Sequence, residues 1–331
     1  MNFESGKRDP EKLYPDHYEF GVPEPISEPI QEREDFIPVT LTVIRHHLTP
    51  YKELQDPAFQ FDPATPDLNS ETLDLTDQGI EGMRAAAESL ASRIDQKNEV
   101  IYVVSSPQYR AQSSLLVLQD ELQKRGVEIV NDLSESTRHA VVPGLRQTDL
   151  IHPGDPEKGT EPWIKSDSAW RSKDPEVGKR TPPHLAHAEI AKAMGFELSE
   201  LFTQSHTEIF QRFMRTLRHL SNIQTYLSEK TKNELHGKKL RIILLTHEEL
   251  PSAFLQHAFG AKENLKNGQV LEINPHGPMN DGESVVLDSR LYPLLTTDTF
   301  EPPFSSEFPD VEESRMQVTF KGTPKSEQSS A

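Results

Sequence analysis

The stretch Val39–Lys52, VTLTVIRHHLTPYK, decides the fold. Its first six residues are β-branched or apolar, the composition of a buried strand. The run breaks off at Arg45, His46 and His47, a cluster too polar to bury without partners. An open α/β sheet has its ligand crevice at the carboxyl ends of its strands, and that is where such a cluster belongs. A guanidinium beside an imidazole supplies fixed charge and a nucleophile for a phosphoryl group.

Working outward from this strand, the chain repeats a strand, turn and helix pattern. LDLTDQGIEGMRAAAESLASRID places Thr76 as an N-cap and Asp77 in the first turn of a helix. Ile80, Met83, Ala87, Leu90, Ala91 and Ile94 fall on one face of it, which covers the sheet. Val100–Val104 is nearly all apolar, as a central parallel strand should be. SSPQYRAQSSLLVLQDELQKRG then opens a second helix with Ser106 and Pro107, and Arg110 lies in its first turn, where anions are favoured. A third strand is expected at Val127–Val130, leading into NDLSESTRHA with Glu135, Arg138 and His139 in a loop. Helical spacing returns at His184–Met194 and at Thr207–Leu235. Leu240–Leu245 is another buried strand with His247 just past its end, and a last strand is expected at Ser284–Asp288.

These elements predict a three-layer α/β/α sandwich with a mainly parallel sheet over residues 37–295. Residues 1–36, rich in Pro and Glu, form an extended arm that is ordered only if it packs on the body. The polar stretch after Glu135, about 141–205, is a cap insertion in which Trp163 and Trp170 favour order. Residues 296–331 are expected to be a tail whose last dozen residues are disordered.

Composition narrows the function. With 35 Lys plus Arg against 53 Asp plus Glu, the formal charge of −18 argues against nucleic-acid or anionic-membrane surfaces, so an anionic substrate must be caught by a local basic pocket. Cysteine is absent, which removes disulfides, cysteine nucleophiles and thiolate metal sites. The first residues lack the apolar core of a signal peptide and no apolar run is long enough to span a bilayer. A soluble, cytoplasmic protein is expected, of unspecified oligomeric state. His184 and His187, spaced i and i+3, lack supporting ligands for a metal.

Four segments, a strand ending in RHH, a helix opening with LTDQG, a turn with SSPQYRA and a strand ending in LLTH, occur in the order found in the histidine phosphatase superfamily, the phosphoglycerate mutase-like group. Over roughly Thr40–Asp288 the sequence resembles that family. The resemblance implies a phosphohistidine mechanism with His46 as nucleophile. Arg45 and Arg110 would clamp the phosphoryl oxygens, His247 would add a further donor, and Thr49 keeps a hydroxyl where the family often has one. Glu135 best matches the family's acid–base position, with Asp132 or Glu248 as alternatives. His47, Lys52 and Arg138 are candidate substrate contacts.

Departures from the family pattern are specific. His47 and Glu248 replace common glycines, and Tyr51 and Lys52 replace the Trp-Asn pair of phosphoglycerate mutases. The reading favoured is a metal- and cofactor-independent phosphomonoester hydrolase acting on a phosphorylated small molecule or phosphoprotein. A mutase-like phosphotransferase would use the same residues. Two rivals are a degenerate member that binds a phosphorylated ligand, and a metal-dependent hydrolase built on His46, His47 and His247.

Overall fold

A computed structural model describes residues 19–20, 24–25, 39–56, 58–63, 67–130, 141–147, 161–173, 183–223, 235, 237–259, 265–280, 284–292 and 314–321. In chain order the elements are β1 (Glu19–Phe20), β2 (Glu24–Pro25), β3 (Thr40–Arg45), α1 (Lys52–Gln55), α2 (Asp77–Ala91), β4 (Glu99–Ser105) and α3 (Tyr109–Lys124). A 3-10 turn at Pro143–Leu145 leads to α4 (Glu161–Lys173), α5 (Pro183–Met194), α6 (Leu198–Leu201) and α7 (His206–Ser221). The chain closes with β5 (Lys239–Thr246), α8 (Glu249–Phe259), β6 (Val270–Pro275), β7 (Ser284–Tyr292) and β8 (Ser314–Lys321).

The strands form one open mixed sheet in the order β1-β8-β7-β6-β3-β5-β4, with β2 also pairing β8. β3, β5 and β4 are parallel to one another, and everything beyond β3 on the other side is antiparallel. The alternation of side chains along each strand separates two cores. Leu41, Val43, Val100, Val104, Ile242 and Leu244 face α7 and α8, whereas Ile44, Ile101, Val103, Ile243 and Leu245 face α2 and α3. The expected three layers are therefore present, and the three parallel strands β3, β5 and β4 form one end of the sheet, the rest of which is antiparallel. Among the described residues, no helix is long and apolar enough to cross a membrane.

On the α2 and α3 face, Arg241 of β5 is buried and bonded to Glu99, Glu272 and Thr42, with Nη1 to Glu272 Oε2 at 2.8 Å. This network ties β4, β5, β3 and β6 together, one guanidinium serving two carboxylates.

Several elements differ from the sequence reading. The expected strand Val127–Val130 is reduced to a single parallel bridge between Ile101 and Ile129. β6, unmarked in the sequence reading, lies antiparallel between β3 and β7, and its short VLEINP pattern is broken by Glu272, which is buried only because Arg241 meets it. The cap insertion contains helix α4, whose mostly polar sequence hides its period, and Trp163 is buried on it. Trp163 packs with His187 and Phe202, and the stacked rings of His187 and Phe202 are 4.8 Å apart, so His187 fills a small aromatic core. The stretch taken as a C-terminal tail contains β8, paired with β7 and with the short arm strands β1 and β2. Val318 and Phe320 are buried there, two residues apart and so on one face of the strand.

Candidate active site

Register alone brings the first residues of the site together. Ile44 of β3 and Ser105 of β4 both lie beside Leu245 of β5, so the three parallel strands end at one level. His46, Ser106 and His247 therefore emerge side by side, and the ladder is continued by His46 N–H to Thr246 O and Ser106 N–H to Leu245 O, each 2.9 Å. The rings of His46 and His247 stand edge to face with centroids 5.1 Å apart.

His46 is buried, and its Nδ1 lies 2.8 Å from the carbonyl oxygen of His47. A carbonyl only accepts, so Nδ1 carries the proton and Nε2 holds the lone pair. Burial, with Arg110 and Arg45 nearby, holds the imidazole well below its ordinary pKa and keeps it neutral. His247 Nε2 meets Ser106 Oγ at 2.7 Å and Gln108 Oε1 at 2.9 Å, while its Nδ1 is buried without a partner. Its pKa is likewise lowered, first by burial and then by Arg110.

Arg110 is buried at the first turn of α3. It donates from Nη2 to Gln147 Oε1, and Gln147 in turn donates to Glu249 Oε1 at 3.1 Å. Its Nη1 lies 3.7 Å from Glu53 Oε2, and neither Nη1 nor Nε has a hydrogen-bond partner. A buried guanidinium with two unsatisfied donors is suited to an anion's oxygens. Arg45 is placed differently: Nη1 donates to Leu265 O and Nη2 pairs with Glu248 Oε2, both at 2.8 Å, leaving Nε buried and unpartnered. Glu248 thus meets a cation instead of facing an anion alone.

The remaining expected residues fall outside the immediate cluster. The His47 ring is turned onto α2, where a β-carbon built on Gly82 would lie 2.1 Å from its Nε2. Its Nδ1 accepts from Leu48 N–H at 2.8 Å, and burial with Arg45 lowers its pKa to about 4. Thr49 donates to Asp74 Oδ1 at 2.9 Å, and the ammonium of Lys52 is held by the carbonyls of Ser70, Glu71 and Leu73. Thr49 and Lys52 therefore fasten the loop between β3 and α2. Asp132, Glu135, Arg138 and His139 lie outside the described residues. Among the described residues no group of three or more metal-ligating side chains gathers.

Residues that sequence reasoning missed are Glu53, Asp74, Ser106 as a partner of His247, Gln108 and Gln147. Only Ser106 and Gln108 carried a signal, their adjacency to Arg110 in SSPQYR. Glu53 sits on the single turn α1, with Oε2 accepting from Tyr109 N–H at 2.9 Å. Tyr51, which precedes α1, adopts a left-handed φ of 59°, and its ring lies 5.5 Å from the Arg110 guanidinium.

A scan against protein-family models and a search of curated proteins each find no match. Among solved structures, the chain is similar to a mycobacterial glucosyl-3-phosphoglycerate phosphatase, at 18% identity over 72% of this chain and 92% of that one, with a TM-score of 0.37. It is similar to a phosphoserine phosphatase from Entamoeba histolytica, at 17% identity over 71% and 90%, with a TM-score of 0.33. A Plasmodium falciparum phosphoglycerate mutase matches at 13% identity over 85% and 98%, with a TM-score of 0.31. At identities and TM-scores this low, the reading of function rests on this chain's own residues.

Proposed function

We propose that the chain is a phosphomonoester hydrolase of the histidine phosphatase type, acting in the cytoplasm on a phosphorylated substrate through a phosphohistidine on His46. The observation that supports it most is the hydrogen bond from His46 Nδ1 to the carbonyl of His47, which leaves a neutral imidazole with its lone pair on Nε2. That lone pair is what attack on phosphorus needs. Arg110 offers two unpartnered donors for the phosphoryl oxygens and spreads the charge that develops there. Burial first, and then repulsion from Arg110, His46 and Arg45, lowers the His247 pKa; a bound phosphoryl dianion offsets the repulsion and so favours a proton on its unpartnered Nδ1. Positive charge from these side chains stands where a metal would otherwise be needed.

The ion pair of Arg45 with Glu248 favours a second reading, a member that binds a phosphorylated ligand and turns it over slowly, because one of the two expected clamps is engaged by a carboxylate. Transfer to a second acceptor, as in a mutase, would use the same nucleophile and differ in the exclusion of water.

Phosphate release from a panel of phosphomonoesters, measured with chelator present, separates the readings. Release that survives chelation and disappears in His46→Ala supports the hydrolase. Release abolished by chelator points to metal chemistry, and phosphate binding without release from any compound points to the binding role.

A further inference from the structure

A phosphohistidine route needs a group that protonates the leaving oxygen and later deprotonates water, and the described carboxylates around Arg110 can be compared for it. Glu248 is closed by Arg45 at 2.8 Å. Asp74 is fully buried, and its Oδ1 is occupied by Thr49 Oγ1 and by Lys52 N–H. Glu249 is buried at the start of α8 and accepts from Gln147. Glu53 differs from all three. Its side chain is 26% exposed, so water reaches it, and its Oε2 lies 3.7 Å from Arg110 Nη1, one of the two Arg110 nitrogens without a hydrogen-bond partner. The Tyr109 amide holds Oε2 in place from the start of α3.

We infer that Glu53 is the general acid and base of this site, an assignment that rests on the phosphohistidine reading above. As the bond from His46 Nε2 to phosphorus forms, the bond from phosphorus to the leaving oxygen breaks, its electron pair passes to that oxygen, and the Glu53 proton follows. In the second step the Glu53 carboxylate takes a proton from water while the water oxygen attacks phosphorus. The phosphorus–nitrogen pair returns to Nε2, phosphate departs and Glu53 is again protonated.

The charges facing Glu53 agree with this cycle. Burial and Asp74 raise its pKa, while the Tyr109 amide, Arg110 and Arg146 lower it, and the balance is upward. A phosphoryl dianion on Arg110 adds a like charge beside Glu53 and draws on the same guanidinium, so substrate binding favours the protonated acid.

The test compares full-length wild type, Glu53→Gln, Glu53→Ala, Glu135→Gln and His46→Ala on 4-nitrophenyl phosphate and β-glycerophosphate. A nitrophenolate leaves without help, whereas an alkoxide needs a proton. The expected result for Glu53→Gln is a loss of about 100-fold or more in kcat on β-glycerophosphate and less than about tenfold on 4-nitrophenyl phosphate. The alkaline limb of the pH profile should vanish with it, and formate should restore part of the Glu53→Ala activity. Equal losses on both substrates, no loss, or the leaving-group pattern appearing in Glu135→Gln instead would overturn the assignment of Glu53. Activity that survives in His46→Ala would bring down the phosphohistidine reading and this inference with it.

Discussion

The carbonyl of His47 can only accept, and this one atom sets the chemistry of the residue before it: the His46 proton is on Nδ1 and the reactive pair on Nε2. Because burial, Arg110 and Arg45 hold the His46 pKa well below 6.5, the acidic limb of kcat/KM is expected well below pH 6.5. A limb at the value of a free imidazole would show that His46 is solvated. Arg110→Ala should lower kcat about 100- to 1000-fold, with Lys restoring little because it lacks the fork. The His47 side chain makes a different prediction, about stability. Its folded pKa is about 4 against 6.5 for a free histidine, so between those values the unfolded chain binds a proton that the fold refuses. Stability should therefore fall as pH drops from 6.5 towards 4, by about 3 kcal/mol for this group. His46 and His247 shift in the same direction. Urea titrations at pH 7.5 and 5 check this, and His47→Asn, whose side-chain oxygen can still accept from Leu48, should lessen the loss. An unchanged pH dependence in that variant would contradict the account of His47. His46, Arg110 and His247 were legible as motif residues at strand ends and a helix start. The direction of the His47 ring was not, since it depends on what α2 leaves open.

At the scale of elements, α2 is shaped to receive that ring. Thr76 caps it by accepting from Gly79 N–H at 3.0 Å, and a β-carbon on Gly79 would meet Leu48 O at 2.2 Å. One turn further, Gly82 leaves the space that His47 fills. Gly82→Ala should therefore cost about 1–3 kcal/mol through overpacking, and His47→Gly should remove most of that cost in the double variant. Additive losses in urea melts would show that the two positions are not coupled. The N-cap and apolar stripe of α2 were plain in LTDQGIEGM, but the reason for its second glycine lies in the approach of helix to strand end. Similar reasons hid other elements. The single turn α1 is too short to show a period, yet it carries Glu53. The sequence of α4 is mostly polar, so Trp163 and Trp170 were its only marks.

Across the whole molecule, the sheet is completed by chain from far beyond the site. β8 pairs with β7 in the register Val285 to Val318 and Leu287 to Met316, and buries Val318 and Phe320. Its alternation was present in RMQVTFK, but the Pro- and Ser-rich sequence around it resembles a tail. Ending the chain after Tyr292 would uncover β7 and lose two buried side chains worth about 1.5–3 kcal/mol each. A markedly lower Tm or insoluble protein is expected, and an unchanged Tm would contradict the place of β8 in the sheet. The parallel strands, by contrast, were readable because each is an apolar run ending in a polar motif, and their common level brings the candidate nucleophile and second histidine together, with Arg110 near enough to act on both. The central claim is that His46 carries the phosphoryl group, and the most direct measurement is rapid acid-free quenching during turnover of a 32P-labelled phosphomonoester, followed by peptide mapping. The account predicts label on the peptide containing His46, stable to base and labile to acid, and none in His46→Ala. Turnover with no labelled protein, or label on another residue, would contradict it.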